Sequence, residues 1–197
     1  MAMTLQEIGA LLTEAEIKHE IVKRSEREII AYVYSLKEYV DGEDGSKKAK
    51  FFISLEEDGE YIKIIAPKLY IYKEGPYKEA VLQALLQICW KTKLVEYEYD
   101  ASDGEVRLII EFPLEDGKLT KKQLERCIRG MVGIIEDYHQ VIDTVMRTGV
   151  INFDLEKNKA GDLGSMTDLL REFQAYLEAK KAGQVAAEPP TPVGLEE

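Results

Sequence analysis

PYKEAVLQALLQICW (76–90), KTKLVEYEYDASDGEVRLIIEF (91–112) and PLEDGKLTKKQLERCIRGMVGIIEDYHQVIDTVM (113–146) follow one another without a gap, and their reading decides the fold. From Tyr77 to Trp90, Val81, Leu82, Leu85, Leu86, Ile88 and Cys89 recur at three- and four-residue spacing, which predicts a helix. They cover more than one narrow stripe, so burial on more than one side is expected. Lys93 to Phe112 alternates around Ser102-Asp103-Gly104, as two strands of a hairpin do. Val95, Tyr97 and Tyr99 point one way and Glu96, Glu98 and Asp100 the other. Val106, Leu108, Ile110 and Phe112 likewise oppose Arg107, Ile109 and Glu111. Pro113 stops the strand and Asp116-Gly117 turns the chain. Thr120 and Gln123 form a capping box, with Leu119 and Leu124 as its staple. Leu124, Cys127, Ile128, Met131, Ile135, Tyr138, Ile142 and Val145 then make one long helical stripe, which Gly149 is placed to end.

Working outward, Thr4 and Glu7 make another capping box. Leu5, Ile8, Leu11, Leu12 and Ala15 form a helical stripe that fades at Lys18, His19 and Glu20. Glu28–Leu36 reads as a strand and 41–46 as a loop. Lys50–Leu55 and Glu60–Ala66 flank a hairpin turn at Asp58-Gly59, and Pro67 is expected to end the second of them. Leu69–Tyr72 fits either strand or turn. The predicted order is αβββαββα: one α+β domain over 3–149, in which a five-stranded, largely antiparallel sheet packs against three helices. Residues 150–182 read as a linker and a C-terminal amphipathic helix carrying Leu169, Leu170, Phe173, Tyr176 and Leu177. Residues 183–197, with Pro189, Pro190 and Pro192 among small and acidic residues, read as a disordered tail.

Composition excludes several classes of function. The 197 residues carry a net charge of −11, the wrong sign for a nucleic-acid or anionic-membrane surface. No apolar run reaches the ~20 residues of a membrane span, and Met1-Ala2-Met3-Thr4 is no signal peptide, so a cytoplasmic protein is expected. Cys89 and Cys127 lack metal-ligand or redox spacing. His19 and His139 sit near helix ends among polar neighbours and read as boundary residues. Nucleophile-elbow, phosphate-loop and zinc-helix motifs are missing from the sequence, which names neither catalytic, metal nor cofactor residues. Glu96, Glu98 and Asp100 form a line, whereas a hard cation needs converging oxygens.

The element order and the run Phe112-Pro113-Leu114 followed by Leu119-Thr120-Lys121-Lys122-Gln123-Leu124 resemble the YbjN family of bacterial sensory-transduction regulators, over about Met3 to Met146. That resemblance implies the α/β fold of type III secretion chaperones. It also implies a non-enzymatic, dimeric protein that binds other proteins.

The residues offer two sets of candidate contacts. Tyr70, Tyr72, Tyr97 and Tyr99 suit either half-buried sheet packing or a protein interface, since tyrosine joins apolar area to a polar tip. Gly130 and Gly133 each cost about 0.5–1 kcal/mol relative to Ala inside a helix, a cost that close approach of another element would offset. That element is either the protein's own sheet or a second copy. The expected function is a protein-binding module, chaperone-like or regulatory, acting as a homodimer on a protein partner. The alternative is a small-molecule-responsive regulator with a ligand pocket.

Overall fold

The computed structural model describes residues 3–24 and 27–157. The helices are α1 (Leu5–Glu14), α2 (Lys78–Lys91) and α3 (Lys121–Thr148). The strands are β1 (His19–Arg24), β2 (Arg27–Ser35), β3 (Lys48–Glu56), β4 (Tyr61–Ile71), β5 (Glu96–Tyr99) and β6 (Glu105–Pro113). The sheet has six strands, all antiparallel, in the order β1-β2-β3-β4-β6-β5. The order is therefore αββββαββα, with six strands instead of the expected five. The added strand, β1, is an edge with little buried surface on either face. It has no apolar alternation to betray it, and its opening residues look like a fraying helix end.

Pro67 does not end β4. The strand continues to Ile71 through an irregularity between Ala66 and Tyr70. Proline is tolerated there because the ladder is already broken, so no sheet hydrogen bond waits for its missing N–H. Lys68 takes a left-handed φ of 51°, and its N–H is satisfied by the Glu105 side chain at 2.9 Å. Ala66 pairs with Leu108 and Tyr70 with Val106. β4 thus uses four residues where β6 uses two, and Tyr70 stays on the same face as Ile62, Ile64 and Ala66.

All three helices lie on one side of the sheet. The core between the layers is built from Ile30, Phe51, Ile53, Ile62, Ile64, Leu108 and Ile110 of the sheet, with Ile8 and Leu12 of α1, Ile88 of α2 and Ile128, Met131, Ile135 and Ile142 of α3. Both capping boxes form, at Thr4 with Glu7 and at Thr120 with Gln123. Gly149 caps α3 in the left-handed conformation, and a Cβ there would sit 2.5 Å from the Tyr77 ring. Gly59, with φ 94°, closes the β3–β4 turn and is approached so closely by the Met3 carbonyl that a Cβ would lie 2.3 Å from it. Met3 in turn accepts the Leu119 N–H on its sulfur at 3.0 Å, which ties the chain start to the head of α3.

The described chain runs past Gly149. Residues 153–155 form a single 3₁₀ turn, and Phe153 packs edge-on to Tyr138 under the Lys91 ammonium. Glu156 accepts from Tyr138 and pairs with Lys91 at 3.1 Å. The terminal helix and the acidic tail read from the sequence lie outside the described residues.

Candidate functional site

Four sets of residues and two cavities are candidates, and their packing ranks them. The tyrosines come first, because the sequence singled them out. Tyr70 is buried on the helix side of the sheet, its hydroxyl 3.1 Å from His139 Nδ1 and its ring stacked on the imidazole. The Tyr97 hydroxyl is fully buried and, like that of Tyr32, lacks a hydrogen-bond partner among the described residues. Tyr72 accepts from the Tyr77 N–H at the head of α2, and Tyr99 donates to the Tyr72 carbonyl. All four packed rings serve the interior or its rim in the single chain. Burial raises the pKa of Tyr70 and of Tyr97.

The two glycines of α3 separate. A Cβ on Gly130 would meet the Val95 side chain at 4.0 Å, an ordinary contact with the protein's own β5 entrance. A Cβ on Gly133 would meet nothing within 4 Å among the described residues. Packing among the described residues therefore accounts for neither a missing methyl at Gly133 nor a tight one at Gly130.

The face of the sheet away from the helices has an apolar middle. Register aligns Ala31, Phe52, Ile65 and Ile109 in one row across four strands, with Glu20 and Glu96 at its ends. No helix among the described residues covers this row, yet Ile109 is only 3% exposed. The charged side chains that flank the row on this face pair with one another, and the stems of such side chains can lie along apolar surface. Lys63 bridges Glu111 at 2.9 Å and Glu56 at 3.8 Å, Arg107 bonds Glu98 at 2.6 Å, and the Arg24 guanidinium lies 5.4 Å from the Phe52 ring centre. Glu98 is thus an ion-pair partner, and Asp100 accepts the Ser102 N–H in the hairpin turn.

α2 is the opposite case. Val81, Ala84, Leu85 and Ile88 face the core. The expected burial on more than one side does not occur: Leu86 is 71% and Trp90 81% exposed. The physical reason is geometric. Leu82, Leu86 and Trp90 are spaced by four residues, so they form one outer ridge rotated away from the sheet, with Leu82 half-buried at its margin. Leu94, 56% exposed and left-handed with φ 69°, lies just beyond the helix end. The sequence contained this signal, since two apolar ridges on one helix can be separated by spacing alone. A count of apolar residues merges them.

The cavities are modest. One, of about 210 Å³, is lined by Leu94, Phe112, Leu119, Gln123, Arg126 and Cys127. It falls below the ~300–1,000 Å³ of typical ligand sites. The other, about 330 Å³, is a broad open cleft along Thr13–His19. His19 there has its Nδ1 3.0 Å from the Ile17 carbonyl. Neither brings together a set of converging polar groups. Among the described residues, no cluster of His, Cys, Asp or Glu has a metal-binding arrangement, and no helix is long and apolar enough to cross a membrane.

An α+β scaffold with an exposed aromatic ridge is the class of protein these surfaces define. The chain is similar in structure to YbjN from E. coli, described as "a putative transcription regulator", with a TM-score of 0.45 and 14% identity over 71% of this chain and 94% of that one. The family resembled by the sequence pattern thus recurs in the structural comparison. No protein-family model matches the sequence, and no curated protein does.

Proposed function

We propose that this protein is a non-enzymatic, cytoplasmic protein-binding module, regulatory or chaperone-like, whose docking surface is the outer ridge of α2. The observation that carries this reading is the exposure of Trp90 and Leu86, four residues apart on a helix whose other apolar ridge, Val81, Ala84, Leu85 and Ile88, packs into the core. Trp is the residue type most enriched where binding energy concentrates, and an apolar ridge laid into a partner's groove is a common recognition mode.

The occupant the ridge fits is a second copy. In an antiparallel pairing about a two-fold axis at Leu86, each residue meets the one equally far on the other side. Leu86 then meets the partner's Leu86 and Leu82 meets the partner's Trp90, while Glu79 lies toward the partner's Lys93, two residues past the end of α2. Apolar meets apolar and acid meets base. Glu79 and Lys93 are both exposed and enter no ion pair among the described residues.

Light scattering coupled to size exclusion tests this. The full chain is expected at twice its 22.4 kDa. Glu79→Lys should weaken the dimer, and Glu79→Lys with Lys93→Glu should restore it. A wild-type species of 22.4 kDa at high concentration would end the self-association reading. Restoration failing in a chain that does dimerise would place the contact elsewhere.

A further inference from the structure

The segment between β2 and β3 is held down in an unusual way for a loop. Its backbone is tied to α3: the Glu136 carboxylate accepts from the N–H groups of Lys37 and of Glu38, the latter at 2.6 Å. Glu38 also pairs with Lys157. Lys47 closes the segment on itself by donating to the Lys37 carbonyl at 2.6 Å. Tyr39 is the plug. It is almost fully buried, its ring lies edge-on to both His139 and Tyr70, and its hydroxyl donates to the Leu69 carbonyl at 2.9 Å.

His139 sits beneath this plug and one helical turn from Glu136. The groups that face it are Tyr39, Glu38 and Lys47 from the segment, Tyr70 from β4, and Glu136 and Asp143 from its own helix. Tyr70 is buried, and His139 Nδ1 is its only hydroxyl partner among the described residues. A neutral imidazole with its proton on Nε2 therefore accepts the Tyr70 O–H.

We propose that Lys37–Ser46 is an acid-released strap, latched to α3 while His139 is neutral and freed when His139 takes up a proton. A proton arriving from solvent on Nδ1 converts the acceptor for Tyr70 into a donor, so the buried hydroxyl hydrogen loses its partner. The same imidazolium draws the Glu136 carboxylate away from the Lys37 and Glu38 N–H groups. Release lifts Tyr39 and uncovers Tyr70. Burial holds His139 below the usual imidazole value, against the opposing pull of Asp143, Glu136 and Glu38. A base held low in the folded state adds stability above its unfolded value, about 6.5. That stability is lost as the pH falls below it.

Hydrogen–deuterium exchange on the full chain tests the proposal, at about pH 7.5 and about pH 5.5, corrected for intrinsic exchange, with His139→Gln as control. The Gln amide oxygen accepts from Tyr70 at both pH values. In the wild type, peptides covering Lys37–Ser46 should lose about tenfold in protection at the lower pH while β4 keeps its own. In His139→Gln the strap should not respond. Equal wild-type protection at both pH values, or an equal loss in the variant, would overturn the proposal. If His139→Gln does not fold, an NMR titration of the wild type decides: the amides of Glu38 and Tyr39 should move with the midpoint of the His139 ring, and separate midpoints would refute the coupling.

Discussion

The open face of the sheet and the outer ridge of α2 both present apolar residues away from the core, and they solve that problem in contrary ways. The sheet row from Phe52 to Ile109 is flanked by charged pairs, Lys63 with Glu111 and Arg107 with Glu98, and Ile109 is as dry as an interior residue. The ridge of Leu86 and Trp90 is flanked by no such ion pairs among the described residues, and both side chains are exposed. Strand geometry explains the difference. On a sheet face each side chain has neighbours across two strands as well as along its own, so charged stems can close over an apolar centre. A solvent-facing helix ridge has only its neighbours one turn away, here Glu79, Gln83 and Lys93, too sparse to cover an indole. Exposure of apolar residue types therefore does not by itself mark a binding surface. Exposure without available cover does.

The contrast breaks most readily at Ile109. Ile109→Ala is expected to destabilise the chain by about 2–4 kcal/mol in urea unfolding, a core-like cost on a nominally solvent-facing side. A loss below about 0.5 kcal/mol would show that the burial of Ile109 is not core-like. Next, Leu86→Ala with Trp90→Ala should weaken self-association by about 30-fold or more, the scale of a binding hot spot, as read by sedimentation equilibrium. Gly133→Ala should stabilise the monomer by about 0.5–1 kcal/mol, because the methyl enters open space on a helix that gains Ala propensity. If that gain is accompanied by loss of self-association, the dimer contact reaches α3 as well. The smallest effect expected is that of the Leu86 and Trp90 substitutions on monomer unfolding itself, within about 0.5 kcal/mol, since neither residue is buried there. A larger loss would mean that the ridge packs within the chain.

Much of the fold was legible because its signals are local. The caps at Thr4 and Thr120, the hairpin of Tyr97 with Leu108 and the stop at Gly149 are each written within a few residues of where they act. β1 was illegible for the converse reason: an edge strand with two wet faces has no apolar rhythm, and its pairing with β2 has to be seen to be counted. Pro67 misled because a proline reads as a break in a ladder, while here the ladder had already parted around it. Of the candidate contacts, spacing put Tyr97 and Tyr99 on one face of their strand, left Tyr70 and Tyr72 unplaced, and could not say which face the helices cover. The strap was beyond sequence reasoning altogether. Glu136 and the backbone it holds lie 98 and 99 residues apart, and nothing near Tyr39 announces that its ring is buried.

The irregularity in β4 has a consequence for how this chain can change in length. Because β4 gains two residues over β6 between Ala66 and Tyr70, the insertion is even, and everything beyond it keeps its side of the sheet. Loss of Lys68 alone would invert the parity of the strand end, turning Tyr70 out to solvent and stripping His139 of its hydroxyl partner. Loss of Pro67 and Lys68 together would restore a continuous ladder and leave Tyr70 facing inward. Sequence drift at this point is thus constrained by arithmetic: pairs of residues can come and go, and single ones cannot.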